Sequence, residues 1–184
     1  MQVQKNKRLK RPDWVHAGMD VLRARGAEAL KAEPMARYME TTKGSFYWHF
    51  KDVEDFQASI LTLWEQAAIA ELSRLLEDEP GGVACFQALA RSLADPDKSN
   101  AILMAEPAVR AWSTNSKRTR EVVARVDEAR MNVLTTVLKR IDIGNPDVAH
   151  MLYGAAVGIG MIADDTRNKS EAIGSLTDLV LALR

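Results

Sequence analysis

Phe56, Ile60, Trp64, Ala68, Leu72 and Leu75 stand three or four residues apart along a stretch that holds neither Pro nor Gly. A helix gathers such positions into one stripe, whereas a strand scatters them over both faces. Residues 53–76 therefore read as one long helix. Pro and Gly punctuate the rest at Gly26, Pro34, Gly44, the 80–82 Pro-Gly-Gly run, Pro96, Pro107, Gly144 and Pro146. Between these joints no run of alternating β-branched residues supports a strand. Repeats and low-complexity tracts are absent. The expected fold class is all-α, with about nine helices.

Helical spacing and end signals place the remaining elements. A first helix spans about 13–25, with Asp13 as an N-cap or first-turn acid, Gly18 in its apolar spacing and Gly26 after its end. A second runs about 34–39 from Pro34, and a third about 42–50 with Thr42 as its cap. Beyond the long helix come 83–94, a broken pair near 100–105 and 107–112, and a long helix at 117–141. The last carries Val122, Val126, Val133, Val137 and Ile141 on one face. Two final helices cover about 146–163 and 170–183.

Charge divides the chain. Lys+Arg and Asp+Glu both total 25, yet residues 1–56 hold 11 basic against 8 acidic side chains. The first eleven residues hold five basic side chains and no acidic one. The reading is a basic head at 1–52 and a larger acidic helical body at 53–184, joined by the long helix. The single cysteine, Cys85, excludes an internal disulfide framework and a four-thiolate zinc site. No signal peptide or membrane-length apolar run is visible, so a cytoplasmic location is expected. His16, His49 and His150 form no HExxH pattern, and no GxSxG is present, so neither an enzyme nor a metal site is expected. Asp147 and His150, three apart, read as a helix-surface contact. The GxGxxA pattern at Gly158, Gly160 and Ala163 lacks the preceding strand that a dinucleotide site requires, so no cofactor is expected.

Three short helices with a tight turn before the third are the ingredients of a helix-turn-helix unit. In 41–51, Phe46 and Phe50 can dock on the other helices. Thr42, Lys43, Tyr47 and His49 offer donors to phosphate, and Trp48 offers a flat face to base or sugar edges. The run from Thr42 through Lys43, Gly44, Ser45, Phe46, Tyr47, Trp48, His49, Phe50 and Lys51 to Asp52, with Glu54, Asp55 and Phe56 after it, resembles the recognition helix of the TetR family of transcriptional regulators. The resemblance covers about residues 13–60. It implies double-stranded DNA as a partner, contacted by Lys31, Thr41, Thr42, Lys43, Gly44, Ser45, Tyr47, Trp48, His49 and Lys51, with the basic N-terminus as an arm on phosphates or in the minor groove. The chain departs from the family pattern in three places. Met39 or Glu40 stands where a turn glycine is usual, the second helix opens on Lys31, Ala32, Glu33 and Pro34 without a hydroxyl, and Val53 replaces a lysine.

The body resembles the family more loosely, through its length and the run Val109, Arg110, Ala111, Trp112 followed by Val126, Asp127, Glu128, Ala129 and Arg130. The resemblance implies a homodimer and a small-molecule effector. Small residues Gly154 and Gly158, with the apolar face of Leu176, Leu179, Val180 and Leu183, are the candidates for dimerisation. Phe86, Leu103, Met104, Trp112, Met131, Tyr153 and Met161 are the candidates for an apolar effector pocket with few charges. The implied function is a repressor on a palindromic operator, released by a small, largely apolar effector. The alternative is a helical ligand-binding or protein-interaction dimer that has lost specific DNA binding.

Overall fold

The computed structural model describes residues 9–78, 82–162 and 168–182. Among them the chain forms nine α-helices, two 3-10 turns and no strand. They are α1 (Arg11–Arg25), α2 (Ala32–Tyr38), α3 (Lys43–His49), α4 (Val53–Asp78), α5 (Gly82–Ala94), α6 (Glu106–Ser113), α7 (Lys117–Arg140), α8 (Pro146–Met161) and α9 (Lys169–Ala182). No helix of the described residues is long and apolar enough to cross a membrane.

Local chemistry sets the ends. α1 begins two residues earlier than Asp13 because the Asp13 carboxylate, one turn in, accepts the Lys10 backbone N–H at 2.7 Å. It ends at Gly26, whose φ of +77° suits only a residue without a Cβ, and the Gly26 N–H closes on the Leu22 carbonyl. α2 begins before Pro34, which occupies its third position, where a missing N–H costs no helical bond. A 3-10 turn at Ala27–Ala29 fills the gap before it, and the segment expected as a helix near 100–105 is a 3-10 turn at Leu103–Ala105. The 163 and 183 ends expected for the last two helices lie outside the described residues.

The α4 stripe is the spine of the molecule. Phe56, Ile60, Trp64, Ala68, Leu72 and Leu75 are all buried. Its first half completes one core with Trp14, Leu22, Leu30, Met35, Phe46 and Phe50 from α1 to α3, and with Leu103, Val109, Val122 and Val126 from the body. This apolar cluster therefore joins residues of the head, from Trp14 on, to residues of the body as far as Val126. Its second half meets Phe86, Leu89, Leu134, Val137, Leu138 and Leu152 in a second core. Gly18 lets α1 settle onto α4: a Cβ there would stand 2.6 Å from the Ile60 methyl and 2.7 Å from the Phe56 ring. The small-residue end of α8 packs on α5 in the same manner, since a Cβ at Gly160 would stand 3.3 Å from the Ala94 carbonyl.

The Gly158–Met161 part of the GxGxxA pattern lies inside α8, not in a strand-to-helix turn. His150 does not pair with Asp147. Its Nδ1 lies 3.2 Å from the Pro146 carbonyl one turn back, and the Asp147 N–H is taken by the Asn145 cap.

Candidate nucleic-acid interface and effector cleft

α3 is short, and it is held by its back. Phe46 is fully buried and meets Trp14 edge-on at 5.6 Å, Phe56 edge-on at 5.2 Å and Phe50 at 5.2 Å between ring centres. Thr42 caps its start by accepting the Ser45 N–H at 3.2 Å. Seven residues cannot sustain a helix alone, so this aromatic backing is what keeps α3 formed.

The opposite face looks outward. Lys43, Gly44, Tyr47 and Trp48 fall on one side at helical spacing and are exposed. Tyr47 is 48% exposed and Trp48 is 85% exposed. An indole so open has no packing role within this chain. Thr42 and Lys51 are exposed beside this face, while Ser45 and His49 flank it half-buried. The His49 ring is 6.3 Å from that of Trp14, so it leans toward the core more than an open donor would. Thr41 is half-buried and its N–H closes the turn on the Ala36 carbonyl at 2.9 Å. Lys31 is exposed, with its ammonium 3.3 Å from Glu28. Lys43 forms no ion pair among the described residues, which leaves its charge available to an outside anion, while the charge of Lys51 also acts on Asp55. The turn expected to lack its glycine does so at a cost: Glu40 has φ +50°, a left-handed conformation that L residues avoid.

Sequence reading missed the residue that ties this unit together. Arg11, read as part of a basic arm, spends its guanidinium on contacts within the molecule, although its side chain stays 44% exposed. Its guanidinium bonds the Asp55 carboxylate at 2.7 Å, the Ser59 hydroxyl at 2.8 Å and the His49 backbone carbonyl, and it lies 4.5 Å over the Phe50 ring. Asp55 also accepts the Lys51 N–H at 3.1 Å. The Arg11 and Lys51 bonds hold the Asp55 carboxyl below its ordinary range. Residues 1–8 of the arm lie outside the described residues.

In the body, the family-like run condenses into a buried polar network. Both Glu106 oxygens take the Arg130 fork, at 2.6 and 2.7 Å, and Arg110 Nε adds a third bond at 2.9 Å. Arg110 also reaches Asp127 at 2.7 Å and the Tyr153 hydroxyl at 3.1 Å. Tyr153 in turn donates to Asp127 at 2.6 Å. Burial alone would raise the Glu106 carboxyl, but the two arginines overturn it and hold the group below its usual value. Burial is likewise the main cause that raises the Tyr153 hydroxyl.

The residues expected to line an effector pocket fall in different surroundings. Tyr153 belongs to the ion network rather than to an apolar wall. Leu103 and Phe86 are core residues in two different clusters, with Trp112 packed against the cluster of Leu103 and Met131 against that of Phe86. Among the described residues, Met104 and Met161 share a cleft, a space of about 80 Å³ between the end of α5, the start of α6 and the end of α8. Its wall includes Asp95, Glu106, Arg110 and Lys169, so it is more charged than expected. The Lys169 ammonium donates to the Gly160 carbonyl at 3.1 Å.

The proposed dimer residues divide as well. A Cβ at Gly154 or Gly158 would meet nothing within 4 Å, so neither glycine serves packing within the described chain. They continue a stripe with Met151, Met161 and Ile162, all exposed. On α9, Leu179 is 65% exposed, whereas Leu176 and Val180 are half-buried against the second core. Leu183 lies outside the described residues. Ile143, Val148, Met151, Leu152, Leu176 and Val180 line a broad groove of about 650 Å³ where α8 meets α9.

No protein-family model matches the chain, and no curated protein matches it. Solved structures do. A Rhodococcus sp. protein classed as a TetR-family transcriptional regulator is 16% identical, with a TM-score of 0.75 over 93% of this chain and 98% of that one. A TetR-family transcriptional regulator from Streptomyces coelicolor is 15% identical, with a TM-score of 0.72 over 94% of this chain and 88% of its own. A protein named superantigen PfiT is 16% identical, with a TM-score of 0.69 over 96% and 97%. At such identities the likeness establishes the architecture: this chain has a TetR-like fold.

Proposed function

We propose that this chain, built on a TetR-like fold, is a homodimeric transcriptional regulator that acts as a repressor on a palindromic DNA site. One observation carries the reading. A capped, aromatically braced short helix presents Lys43, Tyr47 and an 85% exposed Trp48, as a major-groove reader must. The exposed glycine-containing face of α8 and Leu179 of α9 join two copies into a four-helix interface. Two heads then address half-sites about 34–36 Å apart.

The effector occupies the cleft at Met104, Glu106, Arg110, Met161 and Lys169. At about 80 Å³ it is well below the roughly 300–1,000 Å³ of drug-sized sites, so the ligand is small or opens the cleft as it enters. It combines an apolar body with a polar group. The segment lining the cleft has two faces. Met104, Glu106, Pro107 and Arg110 line it, while Leu103, Ala105 and Val109 between them are buried in the same core as Trp14 and Phe56. A ligand that shifts this segment therefore alters the support of the head, which is the coupling a regulator needs.

The deciding experiment is selection from a random duplex pool by the purified chain at low salt. Enrichment of a palindrome supports the regulator. An unenriched pool supports the second reading, a helical ligand-binding or interaction dimer. Two features favour that reading: Glu33, exposed at the start of α2 and paired with Arg37 at 3.3 Å, and the strained Glu40 in the turn before α3 both put carboxylates on the head.

A further inference from the structure

We propose that Arg11 is a positioning residue that brings α3 to its working angle, and that it does not itself touch phosphate; this rests on the DNA reading of α3. Arg11 opens α1, yet its guanidinium reaches two other helices. On α3 it satisfies the carbonyl of His49, the last helical residue, where helix carbonyls lack partners and the dipole favours a cation. On α4 it grips Asp55 and Ser59, and Ser59 is itself held by the Asp55 carbonyl at 2.8 Å. Its flat face covers Phe50, the residue after α3. The Lys51 N–H joins the same carboxylate. The α3-to-α4 turn is thus fixed from both sides by one Arg–Asp pair. Trp48 and Lys43 sit on the helix whose C-terminal end this pair holds, so a change in its tilt moves both outward-facing side chains together.

A brace and a phosphate contact make opposite demands on salt and on Asp55. Removing a phosphate contact lowers the log–log salt slope by about one. Removing a brace leaves the slope alone and lowers specific affinity. If Arg11 met phosphate, Asp55→Asn would strengthen binding by deleting a nearby negative charge. If Arg11 is a brace, Asp55→Asn weakens it.

The test uses the full chain, a duplex enriched by the wild type, and the variants Arg11→Met, Arg11→Lys, Asp55→Asn and the Arg11→Met/Asp55→Asn double. Arg11→Met keeps the apolar stem over Phe50. We expect about tenfold weaker specific binding for Arg11→Met and Asp55→Asn, an unchanged salt slope, and a double variant no worse than either single. Arg11→Lys should behave like Arg11→Met, because an ammonium lacks the fork that spans Asp55 and the carbonyl. Amide hydrogen exchange supplies a readout without DNA. Protection at residues 46–50 should fall about tenfold while that of α7 holds. A reduced salt slope, stronger binding by Asp55→Asn, full function of Arg11→Lys, or unchanged protection at 46–50 each overturns the proposal. If the wild type enriches no duplex, the DNA reading fails separately, and the exchange result alone decides whether Arg11 holds α3.

Discussion

Glu40 sits in the turn before α3 with φ +50°, a conformation that costs an L residue roughly 1–2 kcal/mol. Glu40→Gly relieves that strain, and the greater freedom of unfolded glycine returns part of the gain. We expect a net rise of up to about 1 kcal/mol in urea unfolding, together with tighter DNA binding from the lost carboxylate. Lys43→Ala should weaken binding to all duplexes alike and reduce the salt slope by about one. Trp48→Ala should instead change which sequences a random pool yields. At this scale the sequence was informative where a role is local. Thr42 as a cap, the missing turn glycine, and Phe46 and Phe50 as the docking side were legible because their causes lie within a few residues. Arg11 was not, since a basic residue near a basic tail looks like an arm until Asp55 and His49, far along the chain, are seen around it. The polar partners of Tyr153 are hidden for the same reason: nothing near it in sequence announces Arg110 or Asp127.

Elements were more legible than sites. A stripe such as that of α4 declares its buried side through period alone, and all six of its residues are buried. Ends that depend on caps shifted by a residue or two. What periodicity could not show is how α6, α7 and α8 are joined by charge. Arg130 is buried against Glu106, so Arg130→Met leaves that carboxylate with Arg110 as its remaining cation, at a cost below the roughly 3–5 kcal/mol of a fully broken buried pair. The double variant Glu106→Gln/Arg130→Met should recover much of that loss, as measured by urea unfolding. The pH dependence has a definite sign. Glu106 is held below its unfolded value, so its contribution is full above that value and fades as pH falls through the folded one. Wild-type stability should therefore fall in acid, and Glu106→Gln/Arg130→Met should fall less steeply over the same range.

For the whole molecule, the charge gradient suggested a head and a body, while the apolar core runs through both from Trp14 to Val126. Composition reports on surfaces, and the continuity of a core can be seen only once the helices are packed. Heat or urea should consequently unfold the described chain in one transition seen alike by fluorescence and circular dichroism. The proposed assembly uses the exposed side of α8 and α9. Leu179→Glu places two charges in the proposed two-fold interface, where each leucine would have contributed about 1.5–3 kcal/mol by burial. Sedimentation should show a monomer, and affinity for a two-half-site duplex should drop toward that of a single half-site. A Leu179→Glu chain that stays dimeric would place the interface elsewhere.

The open indole of α3 has an optical consequence. Trp14 and Trp64 are sealed in the core and Trp112 is half-covered, so Trp48 stands apart from the other three tryptophans. Its emission should be the reddest and the most readily quenched by acrylamide. A partner settling on that surface, whatever its chemistry, should shield it and shift the spectrum toward the blue, so the unlabelled protein carries its own light signal for occupancy.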